Sequence, residues 1–406
     1  MTDNQSGIRS SGIRVCLHYA NWKRKGRPAG LFRAVSRERI LFIAILALSG
    51  VTTLRAEIKI GAVSCLTGAL STFGVSSIQG ARLAIEEINQ TGGVLNEPVN
   101  LIVEDNGSTA GETATIARKF IAQDQVLAIL GDLTSSSTME AAPLAQAAKI
   151  PLLTPSATNV AITQIGSYIF RSCFIDPFTG RVMAKFALSH LHAREAVILT
   201  DVKQDYSVGL SDAIRDYFTG NGGRILKEIS FSSGDTDFRA QLSATKALHP
   251  DVIFLPAYYT ESGLILRQAR QLALNTTFVG GEGWDSPTLV QIAGKSAEGD
   301  YYANHFSASD PSPRVQRFVQ IYEAKYHAAP DALAALWYDG AGLLADAVRR
   351  AGAKDPGKIR DALAATRGFE GVTGKISIDE NRNAAKPAVI LTIENNQPRM
   401  VEQITP

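Results

Sequence analysis

"VLAILGDLTSSSTMEAAPLAQAAKIPLLTPSATN", Val126–Asn159, contains the pattern that sets the fold. "VLAIL" (Val126–Leu130) and "IPLL" (Ile150–Leu153) are apolar runs of strand length. Between them, the small residues after Ser136 favour a helix. Strand, helix and strand within so short a span predict parallel strands joined by a helical crossover.

The same alternation extends in both directions. Toward the N-terminus, "EIKIGAV" (Glu57–Val63) alternates polar and apolar residues. Ile78, Ala81, Ala84, Ile85 and Ile88 then follow helical spacing, and Gly92–Gly93 end that helix. "VNLIVE" reads as the next strand, and Ala114, Ala117, Phe120 and Ile121 mark the next helix. Toward the C-terminus the pattern restarts after "SYIFRSCFIDP" (Ser167–Pro177), the expected first crossing between two domains. There follow "EAVILT" (Glu195–Thr200), a helix over Val208–Phe218, "RILKEIS", a helix over Phe238–Leu248, "DVIFLP" (Asp251–Pro256), a helix over Ser262–Ala273, and "TFVGG". The fold class expected is α/β, with doubly wound parallel sheets covered on both faces. The number of units suggests two sheets of four to six strands.

Composition narrows the function. The 406 residues are 45% hydrophobic and 20% charged, with a formal net charge of +2. Ten of the 41 Lys and Arg lie in residues 1–56 beside only two acids, so the remainder is acidic. An acidic body without a basic stripe argues against a nucleic-acid partner. Arg33, Arg37 and Arg39 precede the apolar run "ILFIAILALSGVTTL" (Ile40–Leu54) and Ala56. A basic flank, a short apolar core and a small residue predict a secretory signal within an over-extended leader, 1–56, with translation expected to begin near Val35. Leu54 is a poor fit at the cleavage site. Cys16 lies in the leader; Cys65 and Cys173 are expected to be semi-buried free thiols rather than a disulfide.

Catalytic motifs are missing. There is no G-x-S-x-G elbow, phosphate-binding G-x-x-x-x-G-K-[ST] loop or H-E-x-x-H pair. His190 and His192 read as a solvated helix end, and no metal or cofactor is expected. What the chain does place at the C-terminal ends of its strands is polar and aromatic: "GDLTSSSTME" (Gly131–Glu140), "TPSATN" (Thr154–Asn159), "KQDY" (Lys203–Tyr206), "AYYTE" (Ala257–Glu261) and "GGEGWD" (Gly280–Asp285). That edge is where open α/β sheets take ligands. Carboxylates, hydroxyls and rings together suit a small molecule with an ammonium, an oxyanion and an apolar part. Within the hydroxyl cluster, Ser137 and Glu140 have capping-box spacing, and the helix start they mark suits an anion.

Eleven stretches in order, among them "LTGALSTFG", "GARLAIEEINQTGGV", "GDLTSSST", "PLLTPSATN", "FRSCFIDPF", "DVIFLPAYYTE", "GGEGWDSPTLVQIAG" and "FEGVTGKISID", carry a resemblance. Over Ile58 to about Val389 the chain resembles the leucine/isoleucine/valine-binding family of periplasmic solute-binding proteins, which serve ABC importers. The resemblance implies two doubly wound lobes joined by three crossover segments, a type I periplasmic binding fold. The lobes would be 57–175 plus 305–372, and 176–304 plus 373–406. It implies that Ser135, Ser156 and Thr158 meet the α-carboxylate and part of the ammonium, that Glu282 is the ammonium's counter-charge, and that Tyr206, Tyr258 and Phe73 supply aromatic walls. Each aromatic also has a plain packing reading, and Glu282 could instead pair with a nearby base. Three departures bear on pocket shape: Leu66 replaces the usual Pro, Tyr206–Ser207 replaces "YG", and "DNGS" lacks a Cys.

The implied function is an extracytoplasmic binding subunit, not an enzyme, that captures a branched-chain or other hydrophobic amino acid by hinge closure and delivers it to permease subunits. A monomer in the periplasm is expected. A ligand sensor, or a binder of amides, urea or aromatic acids on the same fold, is the alternative, and a periplasmic enzyme on this scaffold is a third.

Overall fold

The computed structural model describes residues 56–405. The leader and Cys16 therefore lie outside the described residues, Ala56 excepted. Five short strands, β1 (Ile58–Ser64), β2 (Val99–Asp105), β3 (Ala128–Leu130), β4 (Leu152–Thr154) and β5 (Ile169–Arg171), make one parallel sheet in the order β2-β1-β3-β4-β5. β3 and β4 are buried along their whole length, as strands covered by helices on both faces must be.

The chain then crosses to a second sheet through residues 172–175. β6 (Glu195–Asp201), β7 (Arg224–Phe231), β8 (Val252–Leu255), β9 (Thr277–Gly280) and β10 (Tyr301–Asn304) are parallel. After helices Pro313–Tyr326, Ala332–Ala351 and Pro356–Ala364, a small sheet forms from β11 (Phe369–Gly371), β12 (Gly374–Ile378) and β13 (Ala384–Ala385). β14 (Ala388–Glu394) and β15 (Gln397–Ile404) then join the second sheet antiparallel, giving the order β15-β14-β10-β9-β8-β6-β7. The expectation of four to six strands per sheet is exceeded here, because this late hairpin extends the parallel core at its β10 edge.

In each sheet the chain reverses its winding beside the first strand, between β1 and β3 and between β6 and β8. Loops leaving the C-terminal ends of such neighbours diverge and leave a crevice. The two crevices face each other.

The crossings are tied together by buried polar groups. Phe174 of the first stacks on His305 of the second, with ring centroids 3.6 Å apart. Beside the third, residues 386–387 between β13 and β14, the Asp339 carboxylate accepts hydrogen bonds from the backbone N–H groups of Val372 (2.7 Å) and Thr373 (2.8 Å) in the turn between β11 and β12, and from the Thr373 hydroxyl (2.6 Å). Buried Lys386 donates from Nζ to that same hydroxyl at 2.6 Å. Burial lowers the Lys386 pKa to about 8, against the pull of Asp339. Cys65 and Cys173 are buried free thiols, in line with expectation. His190 follows helix Asp176–Ser189 and stacks on Phe186.

Candidate functional site

All seven residues picked from the sequence converge on one cavity between the sheets. Phe73, Ser135, Ser156, Thr158, Tyr206, Tyr258 and Glu282 line it together, with Leu133, Ala157, Gly283 and Leu333 completing the wall. They follow the C-terminal ends of β1, β3, β4, β6, β8 and β9: Phe73, Ser135 and Tyr206 stand in the first turns of helices Ser71–Gln90, Ser135–Ala148 and Asp205–Gly220, and the others in the segments between strand and helix.

The five hydroxyls of Thr134–Thr138 divide the work. The capping-box expectation is corrected: the N-cap of helix Ser135–Ala148 is Thr134, whose side chain accepts from the Ser137 N–H at 3.2 Å. Glu140 lies one turn too far along to close a box on Thr134. It accepts instead from the Gly111 N–H at 2.8 Å, tying the helix to its neighbour. Ser137 Oγ accepts from the Thr134 hydroxyl, and Thr138 donates back to the carbonyl of Thr134 at 2.6 Å. Ser136 Oγ accepts from the Asp205 N–H across the cavity mouth at 3.1 Å. Ser135 faces the cavity, and its Oγ accepts from the Asn159 N–H at 3.2 Å. Thr134→Ala is expected to cost about 1 kcal/mol of stability in chemical denaturation, the usual worth of an N-cap, and Ser137→Ala clearly less.

Ser156 lines the cavity, but its hydroxyl is engaged. It donates to the Leu133 carbonyl at 2.9 Å and accepts from Trp337 Nε1 at 3.2 Å. Its side chain thus joins the loop after β4 to the loop after β3 and to helix Ala332–Ala351.

The aromatic wall is continuous. Tyr206 and Tyr258 stack with centroids 5.1 Å apart, and Phe73 meets Tyr258 edge-on at 6.1 Å. Phe73 also packs edge-on against Tyr259 at 4.6 Å. The Tyr206 hydroxyl accepts from the Gly283 N–H at 3.3 Å. The glycines around Glu282 make room for these rings. A Cβ on Gly281 would lie 2.5 Å from the Tyr206 oxygen, and one on Gly283 would lie 2.6 Å from the Ala257 carbonyl oxygen.

Glu282 sits in a single 3-10 turn after β9, only 7% exposed, and neither carboxyl oxygen has a hydrogen-bond partner. No Lys or Arg among the described residues pairs with it. Burial, and then the nearby Asp176 carboxyl, push its pKa up to about 8. The Thr158 hydroxyl stands close by and favours the ionised form, but lies outside good hydrogen-bond geometry. Burial likewise pushes the Tyr206 and Tyr258 hydroxyls well up, so both are neutral donors at ordinary pH.

The halves touch on both sides of the cavity. On one rim the Tyr259 hydroxyl donates to the Ala69 carbonyl (2.9 Å), and Thr72 and Thr288 share a hydrogen bond (3.0 Å). On the other, Asn159 Nδ2 donates to the Asp205 carbonyl (2.8 Å). This is a closed arrangement. Of the wall residues, Leu333 was missed because it lies on a helix nearly two hundred residues beyond Ser135, and no local pattern marks it.

Two lobes, three crossings and a closed polar chamber between the lobes define a protein that encloses a small solute. The family described as periplasmic binding protein matches residues 57–398. The chain belongs to this family of periplasmic binding proteins. It is 30% identical over 324 residues to the leucine-, isoleucine-, valine-, threonine- and alanine-binding protein of Pseudomonas aeruginosa, covering 80% of this chain and 86% of that one. Among solved structures it is similar to the leucine binding protein LivK of Thermotoga maritima, at 40% identity, TM-score 0.83, and coverage of 86% of this chain and 99% of that one. It is also similar to the branched-chain amino acid transporter substrate binding protein LivJ of Streptococcus pneumoniae in complex with isoleucine, at 35% identity, TM-score 0.82, and coverage of 86% and 100%.

Proposed function

We propose that this protein is the extracytoplasmic solute-binding subunit of an ABC importer and captures a branched-chain or other hydrophobic amino acid. The observation that carries this reading is Glu282: a buried carboxyl without a partner, in a chamber that also offers hydroxyls and an apolar aromatic wall. A buried carboxylate is costly unless it is paired, and the ammonium of an amino acid pairs it. Ser135, with its oxygen already accepting from Asn159, has its proton to give to the α-carboxylate at the start of helix Ser135–Ala148, where the helix dipole also favours an anion. Thr158 shares in both ends, Ser156 holds the loop, and Phe73, Tyr206 and Tyr258 enclose the side chain.

The lobes that move are 57–175 plus 305–372 and 176–304 plus 373–406. Ligand bound to the first drives closure by the contacts that the second adds. The protein is exported by the signal in its leader, acts as a monomer without catalysis of its own, and hands its ligand to permease subunits.

Calorimetric titration of the exported protein with leucine, isoleucine, valine, phenylalanine and benzoate tests the reading, along with mass spectrometry of any co-purified ligand. Micromolar or tighter binding of at least one hydrophobic amino acid is expected, with none of benzoate. The reverse order would overturn it, since an acid without an amine leaves Glu282 unpaired.

A further inference from the structure

The turn that carries Glu282 makes a second contact, outside the chamber. Glu282–Trp284 is a single 3-10 turn, and Asp285 closes it by donating its N–H to the Glu282 carbonyl at 3.1 Å. The Asp285 side chain is buried and is not among the residues lining the chamber. Its Oδ2 accepts from the backbone N–H of Ala332 at 2.7 Å, and its Oδ1 accepts from the Tyr302 hydroxyl at 3.1 Å. Tyr302 lies on β10, in the same lobe as Asp285, 176–304 plus 373–406. Ala332 belongs to the other lobe. It is the first residue of helix Ala332–Ala351, and the residue after it, Leu333, is part of the chamber wall.

The N–H groups at a helix start have no partner within the helix and go to side chains or to water. Asp331, the N-cap, accepts from the Ala334 N–H at 2.8 Å, which leaves the Ala332 N–H to an acceptor from elsewhere. Asp285 supplies that acceptor from the other lobe. Its carboxyl also lies at the positive end of the helix dipole, where an anion is favoured. Burial raises the pKa of both Asp285 and Asp331, and the Asp285 carboxyl raises that of Asp331 further; in either protonation state a carboxyl keeps an acceptor oxygen. With the lobes apart, the N–H and the carboxyl meet only water, so this bond belongs to the closed arrangement alone.

The two ends of the bond are fixed to opposite walls of the chamber. Asp285 follows Glu282 by three residues, and Ala332 directly precedes Leu333. We propose that Asp285 is a positioning residue: it caps helix Ala332–Ala351 from across the cleft and so latches the Glu282 turn of one lobe to the Leu333 wall of the other. This rests on the reading above of a solute captured by lobe closure. Because Asp285 stands outside the chamber, it sets how long the lobes stay closed without touching what they enclose. A contact made only in the closed form shifts the balance toward that form, and the ligand leaves more slowly once it has been made.

The test uses Asp285→Ala and Ala332→Pro, which remove the same bond from opposite lobes. Proline is tolerated at the first position of a helix, and Asp331 before it already has the extended backbone that a following proline favours. Each variant is titrated with L-leucine by calorimetry, its binding rates are followed by stopped-flow fluorescence, and its closure is followed by small-angle scattering at saturating leucine. Both are expected to bind about tenfold or more weakly, as for a hydrogen bond to a charged group, with the loss in the dissociation rate and a more open average form. The double variant should be little worse than either single one, since the bond can be lost only once. Tyr302→Phe removes only the bond within the lobe and is expected to keep the wild-type closure and a dissociation rate within about threefold. An Asp285→Ala affinity within about threefold of wild type overturns the inference, as do unchanged closure in that variant, additive losses in the double variant, or an equal loss in Tyr302→Phe. If the wild type binds no amino acid, the amino-acid reading has failed instead, and the same comparison is made with benzoate, since the latch does not touch the ligand.

Discussion

Glu282→Gln is expected to lose amino-acid binding and to gain stability when empty. Removing the counter-charge from a closed chamber strands the ligand's ammonium, at a cost of about 3–5 kcal/mol, or roughly two to four orders of magnitude in affinity. The gain in stability has the opposite physical origin. The Glu282 pKa is about 8 in the folded chain against an ordinary 4.5, mainly because the site is buried. The folded state therefore holds that proton more tightly than the unfolded state. Its stabilising effect is present at low pH and is lost as pH rises from about 4.5 to 8. At pH 8 the wild-type protein carries a penalty on the order of 4 kcal/mol, at 1.4 kcal/mol per pKa unit, which a neutral amide avoids. Denaturation of the empty proteins from pH 5 to 8 checks this: both should weaken across the window, because buried Asp132, Asp176 and Asp300 are also raised by burial, but the wild type should weaken more steeply than the variant. Binding reads the same proton in reverse. Because the ammonium requires the ionised carboxyl, wild-type affinity is expected to rise with pH up to about 8, by at most tenfold per unit. An affinity independent of pH over that range would exclude Glu282 as the counter-charge.

Asp339→Ala is expected to cost about 3–5 kcal/mol of stability, because it leaves Lys386 buried without its compensating charge and leaves the Val372 and Thr373 N–H groups without acceptors. The consequence falls on the third crossing, so the loss should appear as a lower unfolding midpoint together with weaker ligand-driven closure, measured by small-angle scattering with and without ligand. Restoring an apolar balance by combining Asp339→Asn with Lys386→Met is expected to recover much of the loss, since replacing both members of a buried pair is often near neutral. If the single substitution leaves both midpoint and closure unchanged, the Asp339–Thr373–Lys386 chain does not hold the hinge.

Why these two groups differ in legibility is a matter of distance along the chain. Glu282 was visible in "GGEGWD" because it follows an apolar strand, and the ends of parallel strands are where ligands bind. The Asp339–Thr373–Lys386 chain was not visible: its members are 34 and 13 residues apart, on a helix, a turn and a strand approach that no local spacing connects.

The sequence by itself determined the α/β alternation, the restart near Ser167–Pro177 and the strand-end stretches that carry six of the seven chamber residues; Phe73 came from the family resemblance alone. Hydrophobic period and loop chemistry are local properties, and they can be read within windows of ten to twenty residues. Tertiary structure decided which hydroxyl did what. Thr134 rather than Ser137 caps the helix, because capping depends on which residue takes extended backbone geometry at the turn: Thr134 has φ −98° and ψ 157°. It also decided that Ser156 holds loops together through Leu133 and Trp337, and that Asp176 comes to stand beside Thr158. Those pairings join residues 18 to 181 positions apart, and only the folding of each lobe, with the packing of one on the other at Thr158, brings their polar atoms within reach.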